Sequence, residues 1–193
     1  MNEDFSKLLS PFQFPVSGIQ VDNRIVMAPM TTFSGNEDGT VSDDELSYYK
    51  ERNRGAGLLI SACAYVTPQG KAFPGQFSAY SDDMLPSLKR LAAALKENGG
   101  KAVLQIHHGG RMCPPELVPG GEPLSASAVA PVREGAVTPR EMTELEIEET
   151  IAAYGEAARR AVEAGPRRGS SGRPSAAAGR TRASPWCSSR RSG

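Results

Sequence analysis

Ala-Val-Leu-Gln-Ile-His-His-Gly-Gly-Arg, residues 102 to 111, is the stretch whose reading decides the fold. It is a short apolar run that turns polar at its C-terminal end, entered from Gly99-Gly100 and left through Gly109-Gly110. Runs of this length between glycines suit a parallel strand buried on both faces. Such a strand has little use for Gln105, His107, His108 and Arg111 unless they emerge where it stops, and in parallel α/β folds the C-terminal strand ends are where ligands bind. Two readings stand at this point. The polar tip is either a site wall, or a buried glutamine satisfied by backbone with a histidine packed under a loop.

Working outward, two more strands of the same kind precede it. Asn23-Arg24-Ile25-Val26-Met27-Ala28-Pro29-Met30 is a compact apolar run stopped by Pro29, which cannot donate to a ladder. Residues 58 to 66, Leu-Leu-Ile-Ser-Ala-Cys-Ala-Tyr-Val, follow Gly55-Ala56-Gly57 and end in small residues that would let a flat ligand approach the backbone. Between them, Asp38-Gly39 reads as a turn, and Ser42 with Glu45 as a capping box opening a helix over 43 to 54. Five positions of the calcium-loop pattern also occur between 34 and 45, but Ser34 stands where that loop wants Asp, and no helix precedes it. A second helix follows Ser81-Asp82-Asp83, with Met84, Leu88, Leu91 and Leu95 on one face. Upstream, residues 8 to 21 suit a short hairpin or lid.

Strand, helix, strand, helix, strand is the order of right-handed βαβ crossovers in a parallel sheet. A dinucleotide-binding sheet would place a glycine-rich turn after its first strand, but here that turn is Pro29-Met30-Thr31-Thr32. A closed barrel is therefore favoured. Residues 112 to 139 form a proline-rich loop, after which Thr143 and Glu146 make another capping box. Leu145, Ile147, Ile151, Tyr154, Ala158 and Val162 mark the expected packed side of a long helix ending at Gly165.

Charge divides the chain in two. The formal net charge of 193 residues is zero, yet all 22 acidic residues precede Gly165, and the segment 166 to 193 carries seven Arg and no acid. That segment holds no Val, Ile, Leu, Met or Phe, so it cannot bury enough apolar area to offset chain entropy and is expected to be a disordered basic tail. Residues 1 to 165 form the expected folded domain. Cys63, Cys113 and Cys187 match no metal-ligand spacing, and no metal site is expected. No signal-peptide core or membrane-length apolar run occurs, so a cytoplasmic location without membrane association is expected.

These residues resemble the Old Yellow Enzyme family of FMN-dependent NAD(P)H:flavin oxidoreductases. The carrying motifs are Asn-Arg-Ile-Val-Met-Ala-Pro-Met-Thr at 23 to 31, Gly-Leu-Leu-Ile-Ser-Ala-Cys-Ala at 57 to 64, and Gln-Ile-His-His-Gly-Gly-Arg at 105 to 111, supported by Pro-Leu-Ser-Ala-Ser-Ala-Val at 123 to 129. The resemblance implies an α/β fold: the N-terminal portion of a TIM (β/α)8 barrel, about three β/α units plus a further helix. It implies that Ala28, Pro29, Met30 and Thr31 line one edge of FMN, with Ala62 and Gln105 completing the cradle. Thr31 would tune the flavin through its hydroxyl, and Phe33, His108 and Arg111 would shape the substrate pocket. An amide such as Gln105 can both donate and accept around a uracil-like ring edge.

The implied chemistry is hydride transfer from NADH or NADPH to FMN and on to an activated alkene or other electron acceptor. The family's substrate-gripping histidine pair and proton-donating Tyr fall after the fourth strand, beyond the matching region, so the chain is expected to be a truncated or frame-shifted, inactive form. A homo-oligomer is one way to cover its open strand edges. A rival reading is a binding module whose Arg-rich tail recruits nucleic acid or an acidic partner, which one tryptophan and no fold support poorly.

Overall fold

The computed structural model describes residues 3 to 165; the basic segment expected to be disordered, and with it the division into a domain and a tail, lies outside the described residues. A short helix, α1 (Glu3–Leu9), leads into the antiparallel pair β1 (Phe12–Gln13) and β2 (Gln20–Val21). The hairpin matches expectation, whereas the helix before it, with Phe5, Leu8 and Leu9 at helical spacing, was not expected.

The centre is a three-stranded parallel sheet in the order β3 (Val26–Met27), β4 (Leu58–Tyr65), β5 (Lys101–His107). The crossovers are α2 (Asp43–Arg52) and α3 (Leu85–Lys96), the latter preceded by a single turn at Asp82–Met84. β3 is shorter than the motif around it, because Pro29 ends the pairing. Met84, Leu88, Leu91 and Leu95 are all buried, so the face expected of α3 is the one that packs. They meet Leu59, Ala62 and Ala64 from β4 and Val66 just after it, with Ala102, Leu104 and Ile106 of β5 against the same cluster.

Three expectations need correction. β5 is half-buried rather than buried on both faces, and Val103 is 42% exposed, since no element covers its second face among the described residues. Ser42 accepts the Glu45 backbone N–H, but the Glu45 side chain does not return to close the box; it turns inward to Thr32 and Ser34. The third concerns α4 (Glu144–Ala164). Its N-terminus carries the complete box, with the Thr143 and Glu146 side chains each bonded to the other's backbone N–H. Its buried residues, however, are Ala157, Arg160 and Ala164, while Leu145, Ile147, Ile151 and Val162 stay exposed. Alanines let the helix lie close to α3 and β5, and Arg160 reaches Asp82 at 2.7 Å and the Ala79 carbonyl at 3.1 Å. Close approach by small residues has won over most of the larger apolar stripe: Tyr154 packs against the core as expected, while Leu145, Ile147, Ile151 and Val162 face outward.

The proline-rich loop is built from single turns at Gly110–Met112, Pro115–Leu117 and Pro119–Gly121 and a short parallel pair, β6 (Leu124–Ser125) with β7 (Arg140–Glu141). Among the described residues no helix is long and apolar enough to cross a membrane.

Candidate functional site

The face of the sheet away from the helices is set by register. Ile60 lies beside Val103, Cys63 beside Gln105, and Tyr65 beside His107. Parallel partners point the same way, so these six residues share the face away from the helices, open at Val103 but covered at Cys63 and Tyr65 by Gln76 and Tyr80, while Leu59, Ala62 and Ala64 point into the core. Between Ile60 and Cys63 the register slips, with one more residue on β4 than on β5. This bulge rearranges three backbone groups. The Gln105 N–H donates to Ser61 Oγ at 3.2 Å, Ser61 Oγ donates to the Ala62 carbonyl at 2.7 Å, and the Ala62 N–H donates to the Tyr49 hydroxyl at 2.6 Å.

The sequence-predicted residues therefore fall into two groups. Gln105 stands on the open face, half-buried, and its side-chain amide has no hydrogen-bond partner among the described residues. Ala28, Met30 and Thr31 are exposed and Pro29 half-buried in the segment that follows β3, the strand beside β4. Ala62 differs: it is 3% exposed, with its methyl in the core and its amide spent on Tyr49. Cys63 is the residue that lies beside Gln105. Strict alternation from Leu59 would put Ala62 there, and the extra residue at the bulge inverts the parity.

Above the strand ends, residues 66 to 79 return as a strap. Phe77, buried, accepts the Tyr65 N–H at 3.1 Å, and the Ala79 N–H donates to the Tyr65 carbonyl at 2.9 Å. Gln76 ties strap to sheet. Its Oε1 accepts from the Ala72 N–H, and its Nε2 donates to the Cys63 carbonyl at 3.3 Å and lies 3.4 Å from His107 Nδ1. With Gln76 as donor, His107 carries its proton on Nε2. Burial holds the imidazoles of both His107 and His108 below their ordinary range, so both are neutral at pH 7. His108 Nδ1 accepts the Gly110 N–H at 3.1 Å, leaving a buried Nε2 without a partner among the described residues. Its ring rests on Gly70, where a Cβ would come within 2.7 Å. Arg111 is exposed just beyond.

Phe33 is the only non-glycine residue with positive φ among those described, at 56°. An L-residue there pays about 1 to 2 kcal/mol, so the surroundings must hold it. Thr32 and Ser34, its neighbours, both donate to Glu45 Oε2, Ser34 at 2.6 Å. The Gly35 N–H donates to the Gly75 carbonyl at 2.8 Å, and Gly75 leaves room for the Phe33 carbonyl that any Cβ would strike. The exposed Phe33 ring lies 5.0 Å from that of Phe73 on the strap. Glu45, Tyr49, Cys63, Phe73 and Gln76 are thus parts of this region that the sequence did not single out. Only Glu45 and Tyr49 carried a signal, their i, i+4 spacing on α2.

A parallel β/α sheet that carries its helices on one face, with an unpaired amide and two histidines at its strand ends, is the arrangement of part of a β/α barrel. The chain belongs to the NADH:flavin oxidoreductase / NADH oxidase family, whose model matches residues 7–166. It is 49% identical over 165 residues to the probable NADH-dependent flavin oxidoreductase YqiG of Bacillus subtilis (strain 168), covering 86% of this chain and 44% of that protein. It is 48% identical over 149 residues to the NADH:acrylate oxidoreductase of Vibrio harveyi, covering 77% of this chain and 15% of that one. Among solved structures, the old yellow enzyme homologue from Zymomonas mobilis superposes with a TM-score of 0.73 at 29% identity, over 82% of this chain and 46% of that one. The chain thus spans less than half the length of these relatives. The resemblance read from the motifs holds, and the fold is part of the family's TIM barrel. FMN with a nicotinamide reductant is the cofactor pair of this family.

Proposed function

We propose that this chain supplies the N-terminal wall of the flavin site of an FMN-dependent NAD(P)H oxidoreductase of the ene-reductase type. The observation that carries the reading is Gln105: a half-buried amide with no hydrogen-bond partner among the described residues, at the C-terminal end of a parallel strand and beside the apolar open face. A half-buried amide that meets no protein partner is free to pair with a ligand, and a ring edge bearing both donors and acceptors matches its donor and acceptor groups. The residues present fit FMN. Met30 and Val103, 56% and 42% exposed, offer apolar contact, and the Thr31 hydroxyl is free to meet a ring carbonyl. Ala28 and Pro29 border the same segment, and Cys63 takes the place that strict alternation gives Ala62, whose part is to brace the strand from the core side. Phe33, His108 and Arg111 remain the substrate-side residues.

FMN, when bound, supplies hydride acceptance from NADH or NADPH and hydride donation to an acceptor. The chain's own residues orient the ring and exclude water from one side of it. The acceptor we propose is a small activated alkene, a class to which the acrylate named for the Vibrio relative belongs. Both outer strands of the sheet have an unpaired edge among the described residues, so turnover is read as needing further β/α units on those edges. The purified 193-residue chain is expected to bind FMN saturably, with a perturbed flavin absorbance, and to sustain no NADH oxidation. Absorbance that stays that of free FMN throughout the titration would overturn the flavin reading, and steady NADH consumption would overturn the requirement for more of the barrel.

A further inference from the structure

Glu45 is fully buried, yet no cation pairs with it among the described residues. Its backbone N–H completes the α2 cap on Ser42, so its side chain is not needed there. Instead one carboxylate oxygen, Oε2, accepts from Thr32 and Ser34, the two residues flanking Phe33. The other oxygen, Oε1, is buried without a well-formed hydrogen bond, and the Tyr49 hydroxyl also interacts with the carboxylate. A buried acid so incompletely satisfied is an expensive way to fill a core position, where an apolar residue of similar volume would serve as well. What an apolar residue could not do is hold two hydroxyls from successive sides of a left-handed residue. One helical turn on, Tyr49 takes the Ala62 N–H that the bulge in β4 turns away from its ladder. The same face of α2 thus grips both the segment after β3 and the bulge within β4.

We propose that Glu45 is a positioning residue: by accepting from Thr32 and Ser34 together it fixes the left-handed turn at Phe33, holding that ring against Phe73 over the open strand ends. Its functional consequence rests on reading those ends as the flavin and substrate face. Glu45 is not among the residues assigned to the ring or the substrate, and it acts through the turn. Acceptance, not charge, is what the role requires, so glutamine should serve and alanine should not.

Chymotrypsin cleaves after exposed phenylalanines, and its rate at a site follows the population of the locally opened chain. In the full chain, Glu45→Ala is expected to speed cleavage after Phe33 by about 10-fold or more, with cleavage after the buried Phe77 changed by less than about 3-fold. Glu45→Gln should leave both rates within about 2-fold of wild type, a rescue that loss of a mere packing group would not show. Should the alanine variant fail to fold, Ser34→Ala removes one of the two donors and should raise cleavage after Phe33 alone by about 3-fold. Unchanged cleavage after Phe33 in the folded variants, or a rise only in step with Phe77, would overturn the proposal. An FMN titration of wild type and Glu45→Ala separates the two readings, with at least 5-fold weaker binding expected in the variant. If wild type takes up no FMN, the flavin reading fails, while the cleavage pattern still decides whether Glu45 holds the turn.

Discussion

Phe77→Ala is expected to cost about 3 to 5 kcal/mol of folding stability, the range for deleting a fully buried phenylalanine side chain. Phe77 is 1% exposed and belongs to the same apolar cluster as Leu59, Leu91 and Tyr49. It is also the point where the strap over the strand ends is anchored. Its backbone pairs with Tyr65 on one side while its ring fills the core beneath. Truncation therefore opens a cavity and loosens the strap together. Domains of ordinary stability hold only about 5 to 15 kcal/mol, so the loss is a large part of the total. A urea titration should show the midpoint falling with the slope preserved, because the same surface is exposed on unfolding. A loss below about 1 kcal/mol would mean that the ring is not the anchor described.

Gln105→Leu is expected to act in the opposite register, on the ligand and not on the fold. The amide has no hydrogen-bond partner among the described residues, and leucine is of similar size, so the urea midpoint should stay close to that of wild type. Losing the donors and acceptor that meet the ring edge removes about 1 to 3 kcal/mol, which is roughly 5- to 150-fold in FMN affinity. Fluorescence titration of FMN into the two proteins measures it. Equal affinities would remove Gln105 from the site, and a large fall in stability would show that the amide serves the fold after all.

The parts that were legible in the sequence are those fixed locally. Pro29 stops β3 because it has no N–H to give. Thr143 and Glu146 cap α4 because three residues bring each side chain to the other's backbone. The leucines of α3 face the sheet because no other face of that helix is apolar. Gln105, polar at the tip of an apolar run, was the clearest pointer to the proposed site. What was not legible depends on neighbours distant in the chain. Nothing in Ser61-Ala62-Cys63 announces a bulge, yet one extra residue exchanges which of Ala62 and Cys63 looks out. Glu45 reads as half of a capping box, and only the approach of Thr32 and Ser34, in the segment after β3, draws its side chain inward. On α4, periodicity marked the large apolar residues, but the close approach of α3 and β5 selected the alanines. Ile151, 64% exposed, shows that the larger stripe faces a side no described residue covers.

The most direct measurement is amide hydrogen exchange of the full chain with and without saturating FMN, resolved by peptide. Slowed exchange confined to peptides spanning 28 to 33, 60 to 65 and 103 to 108 is the predicted result. Protection on the helical side alone, in α2, α3 or α4, or no change at the strand ends while FMN is bound, would contradict the placement of the flavin on the open face of the sheet.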